Sequence, residues 1–259
     1  PGFSTGEVIE EEKNVDMSKL VPTLKEVVGY CATENDRPVL VGVCLSMGAR
    51  AGLSVAGADG YRLACQVLRK PSEPDFATLN IRRVVIPAKA VRALVCLWEE
   101  TGKQKLGTLT LQNNSRFSVQ LGAGSLTTTL VRGSFPNYQF LIPKGLSNKV
   151  EVLISDLAQA IHQVYAIAKE HRRIVRLSWA ESSLQMSAGN SNTAEISTSI
   201  HAKVQGGPGR VALDIRYLLN YVKNKKGPCG ISVESPSAPI LLEFGASPIV
   251  VIMPIFVQW

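Results

Sequence analysis

Apolar residues recur along this chain at two spacings, every three to four residues and every second residue, and the two spacings alternate in an ordered way. A short apolar stretch at Val15 opens the first half as a strand, and Ser18 precedes Leu20, Val21, Leu24, Val27, Val28 and Cys31, which form the apolar stripe of a helix with Ser18 as its expected N-cap. The runs Arg37 to Leu45, Leu53 to Ala56 and Tyr61 to Val67 follow, punctuated by Gly and Asp, and read as an antiparallel meander. After the turn-rich KPSEPD at Lys70 to Asp75, Ile81 to Ile86 reads as a strand. Pro87 then fits the first turn of a second helix, whose apolar face is Val91, Leu94, Val95 and Trp98. Gly102 and Gly107 bracket its exit, and Thr108 to Gln112, Phe117 to Leu121 and Ser125 to Val131 alternate like three further strands.

The second half repeats this order. Val150 to Leu153 predicts a strand and Ser155 or Asp156 a cap, with Leu157, Ala158, Ile161, Val164, Tyr165 and Ala168 as a buried helical stripe. Strands are predicted at Arg173 to Trp179, Leu184 to Ala188 and Glu195 to Gln205. After GGPG at Gly206 to Gly209 comes Arg210 to Leu213, then Asp214 as the cap of a helix with Ile215, Leu218, Leu219 and Val222 inward. Strands at Gly230 to Glu234, Ile240 to Phe244 and Ile249 to Ile255 close the chain. Each half is thus strand, helix, three strands, strand, helix, three strands, and is itself a twofold repeat. The expected fold is α+β, with two equivalent domains at 15–145 and 146–259 behind a linker at 1–14. Each domain should cover antiparallel sheet with a pair of helices on one face.

Composition narrows the function. With 259 residues, 45% of them hydrophobic, the chain can bury two ordinary cores, which excludes overall disorder. No run approaches the roughly 18 apolar residues of a membrane span, and no signal peptide opens the chain, so a soluble, cytoplasmic protein is expected. The chain starts at Pro1 without Met, so an upstream segment is expected. The odd count of five cysteines includes no CxxC pair and reads as buried thiols, and the three histidines, His162, His171 and His201, stand at no ligand spacing. Neither a metal nor a cofactor is expected.

The net charge of +7 points to a polyanionic partner. The part up to Lys144 carries 17 basic and 13 acidic residues and the remainder 11 and 8, so both halves are basic. The acidic run Glu10, Glu11 and Glu12 reads as part of the solvated linker. If the helices of each half pack side by side, one outward surface carries Lys19, Lys25, Lys89 and Arg92, with Lys103 and Lys105 just beyond. The other carries Lys169, Arg172, Arg173, Arg216, Lys223, Lys225 and Lys226. Basic surfaces of this kind attract DNA phosphates without regard to sequence, and no cluster of base-reading Arg or Asn accompanies them.

Several motifs in this order carry a resemblance. ENDRPVLVGV (Glu34 to Val43), VAGADGYRLA (Val55 to Ala64), VIPAK (Val85 to Lys89), VRGSFPNYQFLIP (Val131 to Pro143) and IMPI (Ile252 to Ile255) resemble segments of the middle and C-terminal domains of the bacterial DNA polymerase III beta subunit, the beta sliding clamp family. The match spans nearly the whole chain. Departures are Ala58 in place of the family's usual Thr, Tyr61 in place of a common His, and the apolar end FVQW (Phe256 to Trp259) in place of a short RL terminus.

The resemblance implies a non-enzymatic processivity factor whose complete form has three such domains per protomer. Two protomers close head to tail as a homodimeric ring around double-stranded DNA, with basic helices lining the hole. Without the family's first domain, the two halves alone are expected not to close that ring. The family also docks short linear motifs of the DNA polymerase, the clamp loader and repair proteins in a cleft where the middle and C-terminal domains meet. Carried over by motif, that cleft implicates Leu40, Gly60, Tyr61, Arg62, Leu63, Pro136, Leu141, Val251, Met253 and Pro254, flanked by Tyr217 and Ile255. A second reading is a clamp-like scaffold that binds proteins without encircling DNA. The enzyme-like groupings, Asp59-Gly60 with Arg62 and Ser155-Asp156 with His162, lack nucleophile-elbow, P-loop or metal spacing and read as a tight turn and a helix cap.

Overall fold

The computed structural model describes residues 10–34, 37–48, 52–69, 82–112, 115–146, 148–189 and 194–259. The KPSEPD break, Ile81 and the first nine residues of the expected linker lie outside the described residues. Two compact units part between Asn137 and Tyr138, ahead of the boundary expected after residue 145, because the short 3-10 turn Tyr138–Leu141, with Tyr138 buried, already belongs to the second unit.

The first unit runs β1 (Glu10–Asp16), α1 (Met17–Val27), β2 (Gly42–Gly48), β3 (Gly52–Ala58), β4 (Arg62–Arg69), β5 (Arg82–Pro87), α2 (Ala88–Glu100), β6 (Leu106–Gln112), β7 (Arg116–Leu121) and β8 (Gly124–Thr129). The predicted element order is present, but the sheet is not single. Each leading strand crosses to the other repeat: β1 pairs antiparallel with β6 and β5 with β2, giving the sheets β1-β6-β7-β8 and β4-β3-β2-β5. This exchange knits the two repeats into one core. Met17, Leu20 and Leu24 of α1 and Leu94 of α2 are buried with Phe117 and Leu121 of β7. Gly107 lets β6 approach closely, since a Cβ there would meet Met17 and Leu121 side chains at 2.6 Å.

Three local expectations in this unit are corrected. Glu10, Glu11 and Glu12 are not linker but the start of β1, in register with Gln112, Leu111 and Thr110. Asp16, not Ser18, caps α1: its carboxylate accepts the Ser18 N–H and hydroxyl, and these bonds hold its pKa below the usual value. The predicted strand at Arg37 to Leu45 starts only at Gly42. Pro38, with fixed φ and no N–H, opens a 3-10 turn over Pro38–Val41 instead, closed by Leu40 N–H to Arg37 O at 2.8 Å.

The second unit runs β9 (Lys149–Leu153), α3 (Ile154–Glu170), β10 (Ile174–Ala180), β11 (Ser183–Gly189), β12 (Glu195–His201), β13 (Lys203–Gln205), β14 (Gly209–Asp214), α4 (Ile215–Val222), β15 (Pro228–Ser232), β16 (Ile240–Glu243) and β17 (Ile249–Ile252). The same exchange recurs, with β9 on β15 and β14 on β10, giving β12-β11-β10-β14 and β13-β9-β15-β16-β17. The single strand expected at Glu195 to Gln205 breaks at buried Ala202, whose N–H bonds Ser182 O; β12 and β13 then serve different sheets. Asp214 caps α4 as expected, accepting from Arg216 N–H. Ser155 and Asp156 do not cap α3: Leu153 holds the cap position without a side-chain bond, and both residues lie in the first helical turn. There the Asp156 charge still favours the positive end of the helix. Among the described residues no helix is long and apolar enough to cross a membrane.

Candidate functional site

In the first unit α1 and α2 pack side by side, and Lys19, Lys25, Lys89 and Arg92 are all exposed. Lys25 Nζ reaches Glu99 Oε1 at 2.7 Å across the helix pair. The bond and the charge of Lys25 hold the Glu99 carboxyl below its usual pKa. Lys25 is therefore partly committed, while Lys19, Lys89 and Arg92 project without an ion pair among those described. Cys96, the one exposed cysteine, follows Lys89 and Arg92 at helical spacing. Lys103 and Lys105 are exposed beyond the helix end.

In the second unit α3 and α4 also pack together, but the seven predicted basic residues do not all sit on helix faces. Lys169 is in the last turn of α3. Arg172 and Arg173 follow in the turn to β10, both exposed at φ 56° and 63°, a left-handed conformation uncommon for side chains of this size. Arg216 folds back on Asp214, with its Nη2 at 2.6 Å from Oδ2, which raises the pKa of the guanidinium. Its charge is largely neutralised by its own cap. Lys223, Lys225 and Lys226 lie past the end of α4 at Val222; Lys225 covers the Tyr221 ring at 4.9 Å, leaving Lys223 and Lys226 exposed.

The residues proposed for peptide docking separate by depth. In the first unit Asp59 organises a turn: Oδ1 accepts Tyr61 and Arg62 N–H groups at 2.9 and 3.0 Å, and Oδ2 accepts Arg62 Nε–H at 2.9 Å. Gly60 supplies the φ of 95° that the turn requires. Arg62 also donates to Gly29 O and covers the Tyr30 ring at 5.0 Å. Its guanidinium is thus spent inside the unit, and the turn presents Tyr61, 66% exposed. Leu40 and Leu63 are buried at 3% and are core residues in this structure, whereas Pro136 is exposed.

In the second unit Val251 is likewise buried, Tyr217, Pro254 and Ile255 are half-buried, and Leu141 and Met253 are exposed. Ile255 N–H bonds Ala212 O on β14 at 2.7 Å, which anchors the segment after Met253. Phe140, 86% exposed beside Leu141, and Phe256, 80% exposed in the apolar end FVQW, are further bulky apolar residues at the surface, in segments with no strand or helix periodicity.

The enzyme-like groupings dissolve. Ser155 Oγ–H donates to the adjacent Asp156 at 2.9 Å, His162 is exposed on α3, and Asp59 is the centre of a turn. Among the described residues no group of three or more His, Cys, Asp or Glu could hold a metal ion.

The family model of the DNA polymerase III beta subunit central domain matches residues 14–137, and that of its C-terminal domain matches 139–254. The chain belongs to the DNA polymerase III beta subunit family. Among relatives of this family, the beta sliding clamp of Caulobacter vibrioides (strain NA1000 / CB15N) is 26% identical over 246 residues, 93% of this chain and 62% of the relative. That of Haemophilus influenzae is 29% identical over 177 residues, 67% of this chain and 45% of the relative. This beta-subunit chain therefore spans less than two thirds of the length of these relatives. The solved beta subunit of Thermotoga maritima superposes with a TM-score of 0.85 at 18% identity, covering 100% of this chain and 68% of that one. A sliding clamp from Bartonella birtlesii bound to griselimycin gives 0.81 at 25% identity, over 99% and 69%. The sheet exchange and helix pairs described above are thus this family's fold.

Proposed function

We propose that the chain is the part of a DNA sliding clamp that faces duplex DNA with its helix pairs and tethers polymerase, clamp-loader and repair proteins by their short linear motifs. It acts in the cytoplasm, without catalysis. The observation that carries this reading is the repetition of one unit in which exposed cations stand on or beside the outward side of both helix pairs: Lys19, Lys89 and Arg92 in the first, Lys169, Lys223 and Lys226 in the second. Such a surface needs no fixed contact geometry. Phosphate attraction of this type is independent of sequence and decays with salt, which suits a protein that must slide.

For the tethering role the support is exposed apolar surface flanking rigid backbone. Tyr61 rides on the Asp59–Arg62 turn and Met253 precedes the anchored Ile255. A motif rich in Leu or Phe needs such apolar anchors, and a flexible Met adapts to several partners. In the first unit Leu40 and Leu63 then act as packing, Gly60 and Arg62 as the turn that holds Tyr61, and Pro136 as a further exposed apolar residue; in the second unit Val251 acts as packing, and Leu141, Tyr217, Pro254 and Ile255 accompany Met253.

The test is DNA binding measured against salt. Replacing Lys19, Lys89 and Arg92 with Ala should weaken binding equally for unrelated sequences and flatten the salt slope by up to roughly 0.9 per lost phosphate contact. A sequence-dependent loss, or none, would remove the DNA-facing role and leave a protein-binding scaffold.

A further inference from the structure

A groove of about 520 Å³ in the second unit belongs to neither surface described above. It lies at the Trp179 end of β10, beside the start of β14 and the connection after β15, and has the capacity of a small-molecule site. Three observations characterise it.

Trp179 is 2% exposed, and its indole Nε1–H has no acceptor among the described residues. The comparable Trp98 in the first unit gives its indole proton to Gln104 O at 2.8 Å, as indole groups in protein interiors normally do. Gly209 faces Trp179 in register. A Cβ at 209 would approach the ring to 2.3 Å and Nε1 to 2.8 Å, so only glycine lets the β14 backbone lie against that edge of the indole. Arg210, also lining the groove, holds its guanidinium over the Trp259 ring at 5.0 Å. Stacking uses the guanidinium face and leaves its in-plane N–H donors available, and none of the ion pairs found among the described residues involves them.

We propose that this groove binds a small aromatic carboxylic acid. Its carboxylate pairs with the N–H edge of Arg210, and its ring lies against Trp179, Pro208 and Pro236, which line the groove. An aromatic body suits the site because Trp259 already seats a ring on Arg210 at the rim. The proposal stands apart from the DNA and peptide surfaces.

The chain has three tryptophans, Trp98, Trp179 and Trp259, so a ¹⁵N-labelled sample gives three indole N–H signals, assignable by Trp→Phe variants. Indole-3-acetate is the probe and tryptamine its cationic counterpart. Indole-3-acetate should shift the Trp179 and Trp259 signals saturably and leave Trp98 still, and Arg210→Gln should weaken the response at least tenfold. A Trp179 signal at its wild-type position in the free variant reports that the second unit is folded. No saturable shift of Trp179 into the millimolar range, an equal response to tryptamine, or an undiminished response in Arg210→Gln would each overturn the proposal.

Discussion

Arg62 and Asp59 form a closed pair, with Nε 2.9 Å from Oδ2 and the two side chains only 15% and 18% exposed. The pair makes Arg62 a positioning residue: it locks the turn, and Tyr61 is what the turn presents. Asp59→Asn keeps the shape but removes the charge, and should cost about 1–3 kcal/mol as a part-buried charged bond is lost. Thermal unfolding checks the loss. Tyr61→Ala, on an exposed site, should leave stability within roughly 0.5 kcal/mol while weakening a fluorescent clamp-binding peptide.

Depth divides the docking residues into two kinds of variant. Leu63→Ala empties a buried position and should destabilise the fold by about 2–5 kcal/mol. Met253→Ala, at 42% exposed, should spare the fold and weaken the peptide by about 1–2 kcal/mol if Met253 is an anchor. Chemical denaturation and peptide titration on the same samples separate the two. Equal peptide loss at unchanged stability in both would place Leu63 at the surface instead.

Glu99 restrains the basic face of the first unit through Lys25. Glu99→Gln should release that lysine and strengthen non-specific DNA binding, most at low salt, because screening shortens the reach of exposed charges. The pH dependence has the same origin. Glu99 has a depressed folded pKa, so the pair's contribution to stability is present above the usual carboxylate range and is lost as pH falls through the lower folded value. DNA titrations of both proteins at two salt concentrations check the first part; unchanged binding would mean that Lys25 points away from the duplex.

The thiols predict an alkaline limit. Burial pushes Cys31, Cys65 and Cys229 from an ordinary 9.0 up to about 12. A folded pKa raised in this way contributes stability that is full below the unfolded value and is lost as pH rises toward the folded one. Stability should therefore fall between about pH 9 and 12, by up to roughly 1.4 kcal/mol per thiol for each pH unit. At pH 8 a thiol reagent should modify Cys96 alone, with the other four reacting only after unfolding, as mass spectrometry of the native and denatured protein would record.

Much of this was legible in sequence because local periodicity carries it. The stripes Leu20-Val21-Leu24 and Leu157-Ile161-Val164 fix helices, and the Asp214 cap is a local signal. Pairing of β1 with β6 was not legible, since partners so far apart leave no mark on either strand's own pattern. Capping by Asp16 instead of Ser18 turned on which of two good cap residues precedes the first helical turn, a choice of two positions that propensity does not resolve. The burial of Leu40, Leu63 and Val251 and the exposure of Phe140 and Phe256 were not legible, because an apolar residue looks the same in sequence whether it packs inward or faces out.

Encirclement is the central claim, and topology tests it more directly than affinity. The complete protein is loaded by its clamp loader onto nicked circular duplex, salt is raised until phosphate attraction is screened, and retention is measured by gel filtration before and after a restriction enzyme linearises the DNA. The account predicts retention on the circle and release on linearisation. Equal release from circular and linear DNA at high salt would contradict it.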